Sequence, residues 1–114
     1  MILVGHGSKA KAFDRTMRRV AKELTPDYFD VRLAYLEINI PSITDAIRQA
    51  VCRGAKNVRV VPYFLLAGNH VRKDIPLIVK EAQKRWKGVA KIRLCDYLGF
   101  DKRIVAVVRD RAGV

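Results

Sequence analysis

Apolar residues in this chain switch four times from a continuous, strand-like run to a stripe at helical spacing, and that alternation confines it to the α/β class. Residues 1–4 read as a buried strand, and Phe13, Met17, Val20, Ala21 and Leu24 then recur at helical spacing until Pro26 breaks the pattern. Residues 31–38, rich in β-branched and aromatic types, predict a second strand. Pro41-Ser42 followed by Asp45 has the form of a capped helix start, after which Ile43, Ala46, Ile47, Ala50 and Val51 make one stripe that Gly54 closes. Residues 58–66 predict a third strand, near-continuous in apolar residues and therefore central with both faces covered. Asp74-Ile75-Pro76 opens a third helix with the stripe Leu77, Ile78, Ala82 and Trp86. Gly88 ends it, residues 91–95 form a short fourth strand, and 104–108 belong to a last helix. The whole predicts a four-stranded parallel sheet with helices on both faces, in the flavodoxin-like order 2-1-3-4.

At 114 residues, half of them hydrophobic, residues 1–114 are expected to form a single domain with a core of their own. No apolar stretch approaches the ~20 residues of a membrane span, and the N-terminus lacks the layout of a signal peptide, so the expected setting is cytoplasmic with no membrane partner. Cys52 and Cys95 form no CxxC motif and read as small buried or half-buried thiols. The net charge of +12 calls for an anionic partner: nucleic acid, phosphate or a polycarboxylate. The run Lys9, Lys11, Arg15, Arg18, Arg19 and Lys22 reads as the solvated face of the first helix.

Chemistry concentrates at strand exits. Gly5-His6-Gly7-Ser8 places a histidine between two glycines where strand one gives way to a helix, and glycines there let backbone turn sharply or approach a ligand. The second histidine, His70, follows strand three at the end of the loop Leu65-Leu66-Ala67-Gly68-Asn69. Glu37 stands at the same end of strand two. In the order 2-1-3-4 the switch point falls between strands one and three, so His6, Glu37 and His70 converge on one cleft. Two imidazoles and a carboxylate suit a divalent transition metal, and equally a proton-transfer pair. Each residue also has a plainer reading: a hydrogen-bonded structural histidine, a glutamate pointing to solvent from an edge strand, and an ordinary turn at Gly68-Asn69.

Two other functions are weighed. Gly5-His6-Gly7-Ser8-Lys9-Ala10 satisfies the form G-x-G-x-x-[GA], but Glu37 follows at more than the usual ~20 residues, and a two-halved dinucleotide fold needs about six strands. A Walker loop is absent. Nucleic acid would account for the charge, yet Phe13, Tyr28, Phe29 and Tyr35 are not interleaved with Lys and Arg as a stacking platform requires, so no nucleic-acid partner is expected.

Three blocks carry a resemblance: Val4-Gly5-His6-Gly7-Ser8; Tyr35-Leu36-Glu37-Ile38-Asn39-Ile40-Pro41-Ser42-Ile43; and Val60 through Pro62-Tyr63-Phe64-Leu65-Leu66-Ala67-Gly68-Asn69-His70-Val71-Arg72-Lys73-Asp74-Ile75-Pro76. Together they resemble the small, single-domain class II sirohydrochlorin chelatases of the CbiX/SirB type, over essentially the whole chain. The resemblance implies insertion of cobalt, iron or nickel, as a substrate, into a tetrapyrrole polycarboxylate of cobalamin or sirohaem biosynthesis, with no organic cofactor. It implies that His6 is the catalytic proton acceptor and a metal ligand, that His70 is its partner ligand, and that Glu37 is the acid beside them. Leu65, Leu66, Ala67, Gly68, Asn69 and His70 would line the tetrapyrrole together with Glu37. It also implies a homodimer whose two clefts hold the flat substrate, with Lys9, Lys11, Arg72 and Lys73 attracting its carboxylates. The alternatives are a non-catalytic tetrapyrrole- or metal-binding module and, further off, a nucleotide-binding domain.

Overall fold

The first strand, β1 (Ile2–Gly5), is buried along its whole length because it lies inside the sheet with neighbours on both sides. A computed structural model describes every residue except Phe29, Ala67 and Val114, with His70 described by its backbone alone. The elements run β1, α1 (Lys11–Leu24), β2 (Arg32–Tyr35), α2 (Ile43–Cys52), β3 (Asn57–Pro62), α3 (Ile75–Arg85), β4 (Lys91–Leu94) and α4 (Lys102–Ala112), with a short 3₁₀ turn at Thr25–Asp27. The sheet order is β2-β1-β3-β4 and every pairing is parallel, as the alternating pattern predicts.

Helices cover both faces. On one side α2 and α3 pack Ile43, Ala46, Ile47, Ile75, Val79 and Ala82 against Ile2, Val4, Ala34, Val58, Val60 and Ile92. On the other, Met17 of α1 packs against Leu3 and Tyr35, with Phe13, Val20 and Tyr63 at the edge of that smaller cluster. The α2 stripe is the one its spacing predicts, and its start is capped by Ser42, whose side chain accepts from the Asp45 amide at 3.1 Å. Tyr35 fastens α1 to the sheet by donating its hydroxyl to Asp14, which also pairs with Arg18. Burial and that bond push the Tyr35 phenol up to about 12. Tyr35 and Arg18 in turn hold the Asp14 carboxyl below its usual range.

Several expectations are corrected. Strand two ends at Tyr35 rather than 38, because Ile38 takes a left-handed backbone (φ 68°) that turns the chain out of the sheet. Strand three ends at Pro62, and Leu65 and Leu66, expected within it, are exposed since no strand lies beyond to pair with them. Its two faces are also unequal: Val58, Val60 and Pro62 are buried while Asn57 and Arg59 face solvent, so only one face is fully covered. On α3 the buried stripe is Ile75, Val79 and Ala82; Leu77 is exposed. Helical winding starts before Asp74, in a wide π-type turn over His70–Asp74 that runs into α3. Cys95 is half-buried as expected, but Cys52, at the end of α2, is exposed.

Candidate functional site

The backbone at the carboxyl edge brings the first two blocks of the sequence into contact. Beyond the paired strands, Leu36 N–H donates to the Gly5 carbonyl (3.1 Å) and Glu37 N–H to the His6 carbonyl (3.0 Å), so the two chains stay side by side as they leave the sheet. Gly7, with φ +110°, lets the loop close: a Cβ there would sit 1.8 Å from the Glu37 carbonyl oxygen. From the far side, the Asn39 side-chain oxygen accepts from the Ser8 amide at 2.6 Å, while Asn39 N–H donates to the Glu37 carbonyl at 2.7 Å. Strain at Ile38 is thus held between fixed neighbours.

This clasp sets one side-chain contact. His6 Nε2 lies 2.6 Å from Glu37 Oε1, with the side chains 42% and 52% exposed, so the pair is formed and still open to a ligand. With the carboxylate ionised, Nε2–H donates, and in the neutral ring the basic lone pair belongs to Nδ1. That arrangement can accept a proton and relay it, or present a nitrogen to a metal. The Phe64 ring stands beside the imidazole, centroids 6.3 Å apart.

Of the other residues expected here, Leu65, Leu66, Gly68 and Asn69 lie in the exposed loop leaving β3 at this edge. His70 opens the turn that follows, its imidazole outside the described part of the structure, and Ala67 lies outside the described residues. Among the described residues, no group of three or more His, Cys, Asp or Glu side chains is placed to hold a metal. Lys9, Lys11, Arg72 and Lys73 are exposed.

The structure adds residues that sequence reasoning missed. Ile38, Ile40, Leu77 and Phe100 are exposed large hydrophobics, as are Leu65 and Leu66. Residues 95–99 run on beside β3, with Cys95 N–H donating to the Val60 carbonyl and Gly99 N–H to that of Phe64, which carries Leu98 and Phe100 toward the same edge. The legible signal was apolar residues inside loops, as in Ile38-Asn39-Ile40-Pro41, where solvated turns are expected to be polar. A 360 Å³ concavity lined by Leu36, Glu37, Asp74, Leu77 and Ile78 also opens here. A larger cavity, 870 Å³, lies at the opposite, amino edge of the sheet. The histidine–carboxylate pair and its loops stand at the carboxyl edge, the end at which open α/β sheets place their ligands.

Comparison with known proteins identifies the family and supports the fold. The CbiX family model matches residues 1–113. A sirohydrochlorin cobaltochelatase of Sulfolobus acidocaldarius is 38% identical over 112 residues, spanning 98% of this chain and 88% of that protein. A chloroplastic sirohydrochlorin ferrochelatase of Arabidopsis thaliana is 35% identical over 97% of this chain, but the match takes in only 50% of the plant protein. The crystal structure of the sirohydrochlorin chelatase SirB from Bacillus subtilis subspecies spizizenii, in complex with cobalt, superposes with a TM-score of 0.88 at 26% identity, over 98% of this chain and 48% of SirB. With the parallel order β2-β1-β3-β4, the histidine leaving β1 and a family match over nearly its whole length, this chain belongs to the CbiX family.

Proposed function

We propose that this protein is a sirohydrochlorin chelatase, inserting a divalent metal ion, cobalt, iron or nickel, into the tetrapyrrole as a substrate and using no organic cofactor. The observation that carries the reading is the His6–Glu37 pair, 2.6 Å apart and half-exposed at the carboxyl edge. Metallation exchanges two macrocycle N–H protons for one doubly charged ion, so the site must accept protons while a metal gives up water. Neutral His6 takes a proton, the Glu37 carboxylate stabilises the imidazolium, and solvent at the open pair carries the proton away. His6, Glu37 and His70 are the proposed metal-delivering groups, a set of imidazole and carboxylate that accepts cobalt, iron and nickel alike.

The exposed apolar side chains Ile38, Ile40, Leu65, Leu66, Leu77 and Phe100 suit the flat faces of a macrocycle. Lys9, Lys11, Arg72 and Lys73 suit its carboxylate arms. Because this apolar edge is open on one side, the reading includes a homodimer in which two such edges face each other across the substrate. A cytoplasmic setting fits the two unpaired cysteines.

The test is spectrophotometric metallation of sirohydrochlorin by purified protein, with each metal in turn. His6→Ala and His70→Ala are each expected to lose on the order of a hundredfold or more in rate, the scale of a general acid–base contribution, with folding intact. Near wild-type rates in either variant would remove that histidine from the site. Spectral binding without turnover would make the protein a carrier.

A further inference from the structure

The second face of the β3–β4 half of the sheet carries a cluster of cations that the chelatase reading does not use. Register sets Asn57 beside Lys91 and Arg59 beside Arg93. The alternate residues Val58, Val60 and Ile92 are buried against α2 and α3, so Asn57, Arg59, Lys91 and Arg93 stand on the opposite face, and all four are exposed. The cluster around α1 on that face involves Leu3, Tyr35, Leu33 and Val61. No side chain of α4 is buried. Asn57, Arg59, Lys91 and Arg93, with Val58, line a 230 Å³ concavity. Through Asn57, Val58 and Arg59 it continues into the 870 Å³ cavity of the amino edge, which Arg53 and Lys56 also line.

Two arginines in register on neighbouring strands stand only ~4.8 Å apart at the backbone, and like charges placed so cost stability. Among the described residues, five of the ten arginines elsewhere have acidic partners: Arg18 with Asp14, Arg32 with Asp30, Arg48 with Asp45, Arg103 with Asp101 and Arg111 with Asp110. Among the described residues, no salt bridge is formed by Arg53, Lys56, Arg59, Lys91 or Arg93. The acids bordering the larger cavity are Asp27 and Asp30, and Asp30 is taken by Arg32.

We propose that this basin is a binding site for a compact, multivalent oxyanion, held by the Arg59 and Arg93 guanidinium groups with Lys91 and the Asn57 amide. Paired guanidinium forks match phosphate and carboxylate oxygens, and a bound anion turns the repulsion between them into a bridge. Among the described residues the smaller concavity has no aromatic in its lining and Tyr28 is the one aromatic bordering the larger cavity, so the cations are not interleaved with the stacking surfaces of a nucleic-acid site. The site lies at the amino edge of the sheet, away from His6 and Glu37, and stands whether or not the protein is a chelatase.

The test is calorimetric titration of the whole protein with tripolyphosphate and, separately, citrate at fixed ionic strength. Saturable binding of either supports the site, and the tighter one tells a phosphate chain from a carboxylate cluster. Arg59→Thr and Arg93→Thr should each weaken it by about tenfold or more, the scale of one lost charge-assisted bond, while His6→Ala binds as wild type does. Thermal melts guard against misfolding: Arg93→Thr should melt no lower than wild type without ligand, and should lose the rise that the anion gives wild type. Equal rises with sodium chloride at matched ionic strength, or binding unchanged in both threonine variants, would overturn the proposal. So would uptake of single-stranded nucleic acid in preference to both small anions.

Discussion

Gly7 is where a single atom decides the geometry of the site. Any Cβ there meets the Glu37 carbonyl oxygen, which is backbone and cannot rotate away, and the residue's φ of +110° is itself unfavourable for alanine. Gly7→Ala should therefore push residues 37–39 outward and part Glu37 from His6 without touching either side chain. We expect about 1–3 kcal/mol of destabilisation and a rate loss on the order of a hundredfold, read by thermal melting and by metallation of sirohydrochlorin. Retained activity would mean that Glu37 need not stand against His6. At this scale the sequence was informative where a residue type has few uses. A histidine between two glycines after a strand announces itself, and Glu37 stood out as an acid within Leu36-Glu37-Ile38. Asn39 and Ser8 did not, because their bond joins two loops and each alone resembles an ordinary turn residue.

Helix α1 is fixed to the sheet by Met17 packing and by the Tyr35–Asp14 bond, and the second of these depends on pH. The Tyr35 phenol is raised from 10.0 to about 12, so its stabilisation is complete below pH 10 and is lost as pH climbs toward 12. The Asp14 carboxyl is lowered from 3.8, so its share is complete above that value and is lost as pH falls below it. Tyr35→Phe should cost about 1 kcal/mol between these limits, a modest sum because Asp14 is partly solvated, and melts should show the gap from wild type closing above pH 10. Helix α4 differs in kind. Asp101 accepts from the Arg103 amide at its start and Gly113 closes its end with φ 81°, yet none of its side chains is buried. Its amides should exchange with solvent far faster than those of β1, a difference that hydrogen-exchange mass spectrometry resolves directly; equal protection would mean that α4 is packed against something in solution. Element existence and order were legible because the apolar period is a property of neighbouring residues. Strand ends were not: what stopped β2 and β3 was the Ile38 turn and the lack of a further partner, neither of which is written in local composition.

Over the whole molecule, a charge of +12 acts at a distance, and it should act on encounter more than on chemistry. As ionic strength rises, the screening length contracts from ~10 Å at 0.1 M to ~3 Å at 1 M, and kcat/KM for a polycarboxylate substrate should fall. Turnover at saturation should change much less, since proton and metal transfer take place between groups in contact. Steady-state kinetics across that range checks both. A kcat that falls as steeply as kcat/KM would place the salt effect in the chemical step.

The central position of β1 also governs how quickly this protein can come into being. Ile2 pairs with Arg32 on one side and Val60 on the other, and the sheet holds no hairpin that could form early from adjacent residues. Every strand contact must wait for a long loop of chain to close, so refolding should be slower than that of a helical bundle of this size. His6 and Glu37 meet only after β1 and β2 have found each other. In a refolding experiment, metal-inserting activity should therefore return with the sheet and not ahead of it.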